Sequence, residues 1–278
     1  MRLIMSLVAL LLSQGAAAWG ADGHQLVCQL AWDRLSEPAR AFVAKTLAMG
    51  EELDGNGEND LAAACLWPDS ARFETYKGTY EEHFINVPRT ARNIDFARDC
   101  AAMDCIAVGI QRSLTYLSRP AESRREEARK AAALRFLGHY MGDLYQPLHV
   151  GHGEDWGGNK ISVTWFGEDS NLHRVWDSGI LDRANITYPE SLDVIAAVEV
   201  EQPPGVLEAL QASFKLARSH AYANVGGRPV GMDAVLGDAY FERNKPVVIE
   251  QLARSAHHLT VLIEGLARGT LDTNILIE

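Results

Sequence analysis

Two histidine–aspartate pairs offer the side chains best suited to chemistry in this sequence. His139 and Asp143 are four residues apart, and His173 and Asp177 repeat that spacing. Residues at this spacing lie on one face of a helix, so each pair can present an imidazole and a carboxylate to the same ion. One such pair alone is typical of a hydrogen-bonded pair on a helix surface. Two pairs in one chain favour a metal centre.

Further candidate residues lie before and between these pairs. His149 follows Pro147, which should end the helix that carries the first pair, so His149 can reach the second pair from a turn. The other candidates are Trp19, His24, Asp69, Arg72, His83, Phe84 and Asn86. A mixture of imidazole and carboxylate ligands favours zinc over calcium or magnesium, which prefer oxygen ligands.

The elements that must position these residues are mainly helical. Apolar residues recur at three- and four-residue spacing in the stretches 25–36, 101–118, 121–145, 205–223 and 246–267. β-Branched and aromatic residues in 160–166, after a Gly-Gly-Asn turn, predict a short strand or hairpin. Asp169 and Ser170 are expected to cap the helix that carries His173. The sequence thus predicts a mainly α, single-domain multi-helix bundle with a short β-hairpin.

The N-terminus has the pattern of a secretory signal peptide over residues 1–18. Arg2 precedes an apolar run that ends at Leu12, and small residues lead to Ala18. The apolar run has about half the length of a membrane-spanning helix, so no membrane anchor is expected. We therefore predict a secreted or periplasmic protein whose catalytic domain comprises residues 19–278.

The net charge of −11 argues against a broad basic surface for polyphosphates. Any binding of nucleic acid must therefore come from a local site.

Four cysteines are consistent with an oxidising compartment and permit three pairings. Cys100 and Cys105 enclose a short loop, which leaves Cys28 to pair with Cys65. Free buried thiols are the alternative. A zinc site made of four cysteines is disfavoured, because no two cysteines are separated by two residues.

Several motifs together resemble the S1/P1 nuclease family in their order and spacing. They are WGADGH at 19–24, WPDSAR at 67–72, HF at 83–84, HYMGD at 139–143 with the following His149, GGN at 157–159 and NLHRVWD at 171–177. The resemblance covers the chain from Trp19 to Asp177, whereas the helical C-terminal third carries no signature. It implies a fold like that of zinc phospholipase C and the P1 nucleases.

This resemblance also implies three zinc ions and a set of ligands for each. The first ion would be held by Asp69, His83, His139 and Asp143. The second would be held by the Trp19 amine and carbonyl, His24 and Asp143, which bridges the two ions. The third would be held by His149, His173 and Asp177.

The resemblance further implies hydrolysis of phosphodiester bonds in single-stranded DNA and RNA. Asp69 would orient or deprotonate the attacking water, and Arg72 would contact the phosphoryl oxygens. Phe84 would stack on an unpaired base. Asn86 stands where some family members have Asp, so the base preference stays open. The expected products carry 5′-phosphates, and nucleotides are further expected ligands. Whether 3′-nucleotidase activity accompanies the nuclease stays open. The protein is expected to be a monomer.

Two alternative functions share parts of this pattern. A zinc phospholipase C would use the same cluster but typically has Glu at the position of Asp177. A non-catalytic zinc-binding helical protein would need neither Arg72 nor Phe84. Two further expectations concern residues near the motifs: His152 is expected in a surface loop, and Trp156 in the core.

Overall fold

The computed structural model describes residues 19–50 and 60–276. The predicted signal peptide, residues 1–18, lies outside the described residues and stays a prediction.

The described residues are mainly helical, as the periodicity predicted. The α-helices are α1 (Ala21–Arg34), α2 (Glu37–Ala48), α3 (Leu61–Ala64), α4 (Trp67–Ala71), α5 (Phe96–Asp99), α6 (Ile106–Ser118), α7 (Arg124–Tyr145), α8 (Leu172–Arg174), α9 (Ile180–Ala184), α10 (Leu192–Ala196), α11 (Val206–Leu216) and α12 (Asp238–Arg268). Within residues 19–50 and 60–276, none of the helices is both long and apolar enough to span a membrane.

Shorter helical turns connect these elements. Turns of 3-10 helix span Lys77–His83, Pro147–Val150, Gly153–Asp155 and Val225–Gly227. Turns of π-helix continue α8 over Val175–Gly179 and α11 over Ala217–Ala221. Pro147 stands at the start of the 3-10 turn that follows α7, where its missing N–H costs no hydrogen bond.

The predicted hairpin is present and forms part of a small sheet. Strand β1 (Ser162–Trp165) pairs antiparallel with β2 (Glu168–Asn171) and parallel with β3 (Ala234–Leu236). The predicted helix cap was wrong, because Asp169 and Ser170 belong to β2. Asn171 caps α8 instead, and its side chain accepts a hydrogen bond from Arg174 N at 2.8 Å.

Helix α7 lies at the centre of the molecule. Every residue from Ala131 to Tyr145 is buried, which is the property of a helix surrounded by other elements. It packs against α1, α2, α6, α11 and α12. His139 and Asp143 therefore project from the most enclosed helix of the fold, where neighbouring elements can bring further ligands from several directions.

Both predicted disulfides are present. Cys28 on α1 pairs with Cys65, which follows α3, and Cys100 pairs with Cys105. The Cys28–Cys65 bridge packs directly on Gly138 of α7, where a side chain would collide with the Cys65 sulfur. This bridge therefore lies beside the helical turn that presents His139.

Candidate metal centre

The His139–Asp143 pair on α7 forms the centre of the candidate site. Both side chains have 0% exposure. His139 Nε2 lies 3.3 Å from Asp143 Oδ2, so the four-residue spacing places the two groups together as the sequence predicted. Two ligand-type groups are thus held on one rigid helix.

Two more histidines approach Asp143 from other elements. His83, at the end of the 3-10 turn Lys77–His83, places Nδ1 3.1 Å from Asp143 Oδ2. His24, on α1, places Nε2 3.4 Å from Asp143 Oδ1. The His24 ring stacks on His139 with centroids 3.9 Å apart. Both carboxylate oxygens of Asp143 therefore face imidazole nitrogens.

The second pair forms a neighbouring group with His149. His173 Nε2 lies 3.2 Å from Asp177 Oδ2, and His149 Nε2 lies 4.0 Å from Asp177 Oδ1. Gln146, which sequence reasoning missed, donates from Nε2 to Asp177 Oδ1 at 2.5 Å. The Gln146 carbonyl oxygen in turn accepts from Leu148 N at 2.6 Å. The carboxylate of Asp177 is thus oriented by a buried amide.

Backbone carbonyls orient three of these imidazole rings. The Nδ1 atoms of His139, His149 and His173 each lie 2.7 Å from a carbonyl oxygen, of Cys65, His83 and Gly157 respectively. Because a carbonyl only accepts, Nδ1 must carry the proton in each ring and Nε2 must carry the lone pair. This is the arrangement in which histidines bind metal ions.

The donor atoms lie close enough together to hold cations. Three groups each have ligand atoms within 4.8 Å of one another: His24, Asp69 and His139; His83, His139 and Asp143; and His149, His173 and Asp177. The group of His149, His173 and Asp177 is the same as the ligand set implied for the third ion. The first group differs from the implied sets, because it places Asp69 with His24, and His139 belongs to both the first and the second group.

Unsatisfied polar atoms at the centre show that this donor set fits zinc. The buried atoms His24 Nδ1, His83 Nε2 and His149 Nε2 form no hydrogen bond with any part of the chain that the structure describes. Buried nitrogen atoms without partners are costly to a fold. Metal coordination would satisfy atoms of this kind, and imidazole with carboxylate is a ligand mixture that zinc accepts.

The pKa shifts of His83 and His173 agree with metal binding, whereas for His139 burial is outweighed by Asp143 and Asp69, which raise its pKa. Burial, reinforced by His149, lowers the pKa of His173 to about 3. Burial also lowers the pKa of His83 to about 4. Both rings are therefore neutral at physiological pH, which is the protonation state that binds metal.

The carboxylates are perturbed by the same surroundings. Burial raises the pKa of Asp177 well above its usual range, and the nearby Asp143 acts in the same direction. For Asp143, burial is outweighed by His139 and His149, which lower its pKa well below the usual range. A cation at the centre would favour the charged form of both acids.

A cleft of about 560 Å³ opens onto this centre. It is lined by His149 and His173 together with the predicted substrate-contacting residues Arg72, Phe84 and Asn86. Arg72 Nη2 lies 3.0 Å from Asp69 Oδ1. The sequence analysis missed several other lining residues, namely Phe73, Tyr80, Trp156 and Lys160.

Two expectations about residues near the motifs were wrong. Trp156 is 64% exposed in the cleft rather than in the core, because a left-handed turn at this residue directs it outward. His152 is 4% exposed rather than on the surface. Its ring stacks on Tyr222 with centroids 4.4 Å apart, a contact that no local pattern could reveal.

Trp19 lies beside the second histidine–aspartate pair. Its side chain is fully buried, and the next residue, Gly20, donates from its backbone N–H to the Asp177 carbonyl at 2.8 Å. The start of α1 is thereby held beside Asp177.

We expect Gly142→Ala to weaken the binding of zinc at the centre. Alanine normally stabilises a helix interior relative to glycine by about 1 kcal/mol. Here its Cβ would lie 2.6 Å from His24 Nδ1 and 2.7 Å from Cε1. The His24 ring would have to move away from α7, which would disturb its stacking on His139. The variant should therefore bind zinc at least roughly tenfold more weakly, which is the usual effect of removing a group that orients a metal ligand.

The measurement is zinc content after dialysis against a series of zinc buffers. Gly78→Ala is the matched control, because a Cβ at Gly78 would meet nothing within 4 Å. Equal zinc retention in the two variants would show that His24 is not held against α7 for metal binding.

Comparisons with known proteins agree with this geometry. A model of the family described as S1/P1 Nuclease matches residues 19–268. Endonuclease 3 of Arabidopsis thaliana is 33% identical over 282 residues, which cover 93% of this chain and 92% of the relative. Nuclease P1 of Penicillium citrinum is 35% identical over 164 residues, or 58% of this chain and 57% of the relative. Nuclease S1 of Aspergillus oryzae is 30% identical over 193 residues, or 68% of this chain and 63% of the relative.

Proposed function

Because this chain belongs to the S1/P1 nuclease family, we propose that it is a zinc-dependent endonuclease that cleaves single-stranded DNA and RNA to 5′-phosphorylated products. The observation that carries the proposal is that His149 and His173, two members of the His149–His173–Asp177 group, line the same cleft as Arg72. A cluster of cation ligands beside a guanidinium is suited to a phosphodiester.

We assign three zinc ions to the centre. Asp69, His83, His139 and Asp143 hold the first, and His149, His173 and Asp177 hold the third. The second is held by Trp19, His24 and Asp143. The position of Asp143 between His24 and His83 supports its role as the shared ligand.

Bound zinc supplies Lewis acidity toward phosphoryl oxygens and lowers the pKa of water. The protein residues position the reacting groups. Asp69, half-buried beside the cleft, orients or deprotonates the attacking water. Arg72 donates to the phosphoryl oxygens, and Gln146 keeps Asp177 oriented through the hydrogen bond to Oδ1.

Preference for single strands follows from the shape and chemistry of the cleft. Phe84 is half-buried on the cleft wall and offers a ring on which one base can stack. Stacking is worth roughly 1–3 kcal/mol for a base that has left its duplex partner. Asn86 is exposed nearby and can both donate to and accept from a base edge.

We further propose that the protein is an exported monomer. The predicted signal peptide and the two disulfides support export. Cleavage after Ala18 would convert the Trp19 amide nitrogen into an amine, and only an amine has the lone pair that a ligand needs. Signal removal would thus complete the second zinc site.

Removal and return of zinc tests the proposed function. The purified protein should cleave single-stranded DNA and RNA oligonucleotides much faster than the same sequences in duplexes, and it should leave 5′-phosphates detectable by mass spectrometry. Chelation should abolish cleavage, and added zinc should restore it. Faster hydrolysis of phosphatidylcholine would favour the phospholipase alternative, and full activity in chelator would refute a metal mechanism.

A further inference from the structure

Asp155 is a buried carboxylate that lies outside the proposed zinc ligands. It is 4% exposed and accepts hydrogen bonds from three parts of the chain. Oδ1 accepts from Gly158 N at 2.7 Å and from Tyr222 OH at 2.8 Å, and Oδ2 accepts from Arg89 Nη2 at 2.5 Å. A buried carboxylate that accepts three hydrogen bonds can fix the conformation of the segments that donate them.

The segment that Asp155 holds has an unusual backbone. Trp156, Gly157 and Gly158 have φ angles of 54°, 59° and 87°, so three successive residues are left-handed. This conformation is unfavourable for a bulky residue such as Trp156 and persists only where the surroundings enforce it. The bond from Gly158 N to Asp155 closes the turn across these residues.

The turn delivers one carbonyl to the metal centre. Gly157 O accepts from His173 Nδ1 at 2.7 Å, and His173 Nε2 lies 3.2 Å from Asp177 Oδ2. Gly157 is also tightly packed, because a Cβ at this position would collide with the Leu148 carbonyl oxygen and lie 3.4 Å from His173 Nδ1. A change in the turn would therefore rotate the His173 ring.

Tyr222 connects this turn to the C-terminal part of the chain. Its hydroxyl accepts from His152 N at 3.0 Å and donates to Asp155. Its ring is covered by that of His152. Through this hydroxyl group, the third of the sequence without family motifs contacts the turn.

From this geometry we propose that Asp155 is a positioning residue for the His149–His173–Asp177 zinc site. It holds Trp156–Gly158 in the left-handed turn, and the Gly157 carbonyl then keeps His173 Nε2 directed at the ion. This inference rests on the proposed zinc site but assigns a role to residues outside its ligand set.

The experiment measures zinc stoichiometry and affinity of the holoenzyme by competition with a chelator. In Asp155→Ala, one of the three ions should be lost at roughly 10- to 100-fold lower chelator concentration, the usual effect of removing the support of a metal ligand. The other two ions should be retained as in the unchanged protein. Tyr222→Phe removes one of the hydrogen bonds to Asp155 and should give a smaller shift in the same ion.

Glu154→Ala is the matched control. Glu154 is the adjacent exposed acid, and its carboxylate accepts from Arg89 N instead of from the turn. This variant should bind all three ions normally.

A double variant identifies the ion concerned. If Asp155 acts on the ion held by Asp177, then Asp155→Ala with Asp177→Asn should lose no more zinc than Asp177→Asn alone. Additive loss of a second ion would overturn the proposal, and so would normal zinc affinity in folded Asp155→Ala. If Asp155→Ala does not fold, Tyr222→Phe decides by the same measurement. Failure of the unchanged protein to bind zinc or cleave nucleic acid would instead refute the proposed function.

Discussion

Asp143→Asn should lose two zinc ions and nearly all nuclease activity. Asp143 Oδ2 lies 3.1 Å from His83 Nδ1, and Oδ1 lies 3.4 Å from His24 Nε2. The carboxylate is thus situated between ligands assigned to different ions. Asparagine keeps the shape but presents one oxygen and one NH2 group, and the NH2 group cannot bind a cation.

The loss of zinc affinity should exceed the roughly 10- to 100-fold typical of losing an outer partner of a metal ligand. Zinc per mole of protein, measured by elemental analysis, is the direct readout. Asp177→Asn is the matched comparison, since it makes the same chemical change at a residue assigned to one ion. Retention of three ions in Asp143→Asn would refute the bridging role.

The positions of the two histidine–aspartate pairs could be predicted from sequence because their geometry is local. His139 and Asp143 share a helix turn, and so do His173 and Asp177, so spacing alone placed each pair on one face. No spacing in the sequence predicts the positions of Gln146 or of the Gly157 carbonyl in the same way. Their roles depend on how α7, the Pro147–Val150 turn and the segment after it pack together, which is long-range information.

The expectations for Trp156 and His152 were wrong for the same reason, because their positions also depend on long-range packing. Trp156 was expected in the core because tryptophan is usually buried, but its side chain is set by a left-handed turn whose closure depends on Asp155. His152 was expected on the surface because a loop histidine is more often exposed than buried. Its burial comes from Tyr222 and Phe214, which lie in the part of the sequence without motifs.

The helical fold was predictable to a greater extent than the sheet. Periodicity located the long helices except α2, and the Gly-Gly-Asn turn located β1 but not β2, where a helix cap was expected. Strand β3 (Ala234–Leu236) joins β1 from a distant part of the sequence. Three residues carry too little periodicity to be recognised as a strand, and their pairing with β1 depends on residues that are distant in the sequence.

Arg72→Ala should retain all three zinc ions but lower kcat by roughly 100- to 1,000-fold, the usual effect of removing one donor that stabilises a developing charge. Arg72 lines the cleft, with its guanidinium carbon 5.0 Å from the centre of the Phe73 ring and 5.6 Å from that of Tyr80. These rings support the planar group. Lysine should restore little activity, because it lacks the planar fork that contacts two oxygens.

The contact between Arg72 and Asp69, at 3.0 Å, gives the arginine a second conceivable role in orienting a zinc ligand. The two roles predict different measurements. A donor to the phosphoryl group lowers kcat without changing zinc content, whereas a support for Asp69 lowers zinc affinity as well. Arg183→Ala, which removes an exposed arginine paired with exposed Asp238, controls for the change in net charge. Zinc loss in Arg72→Ala would therefore assign the residue to the metal site, and unchanged turnover would remove it from the mechanism.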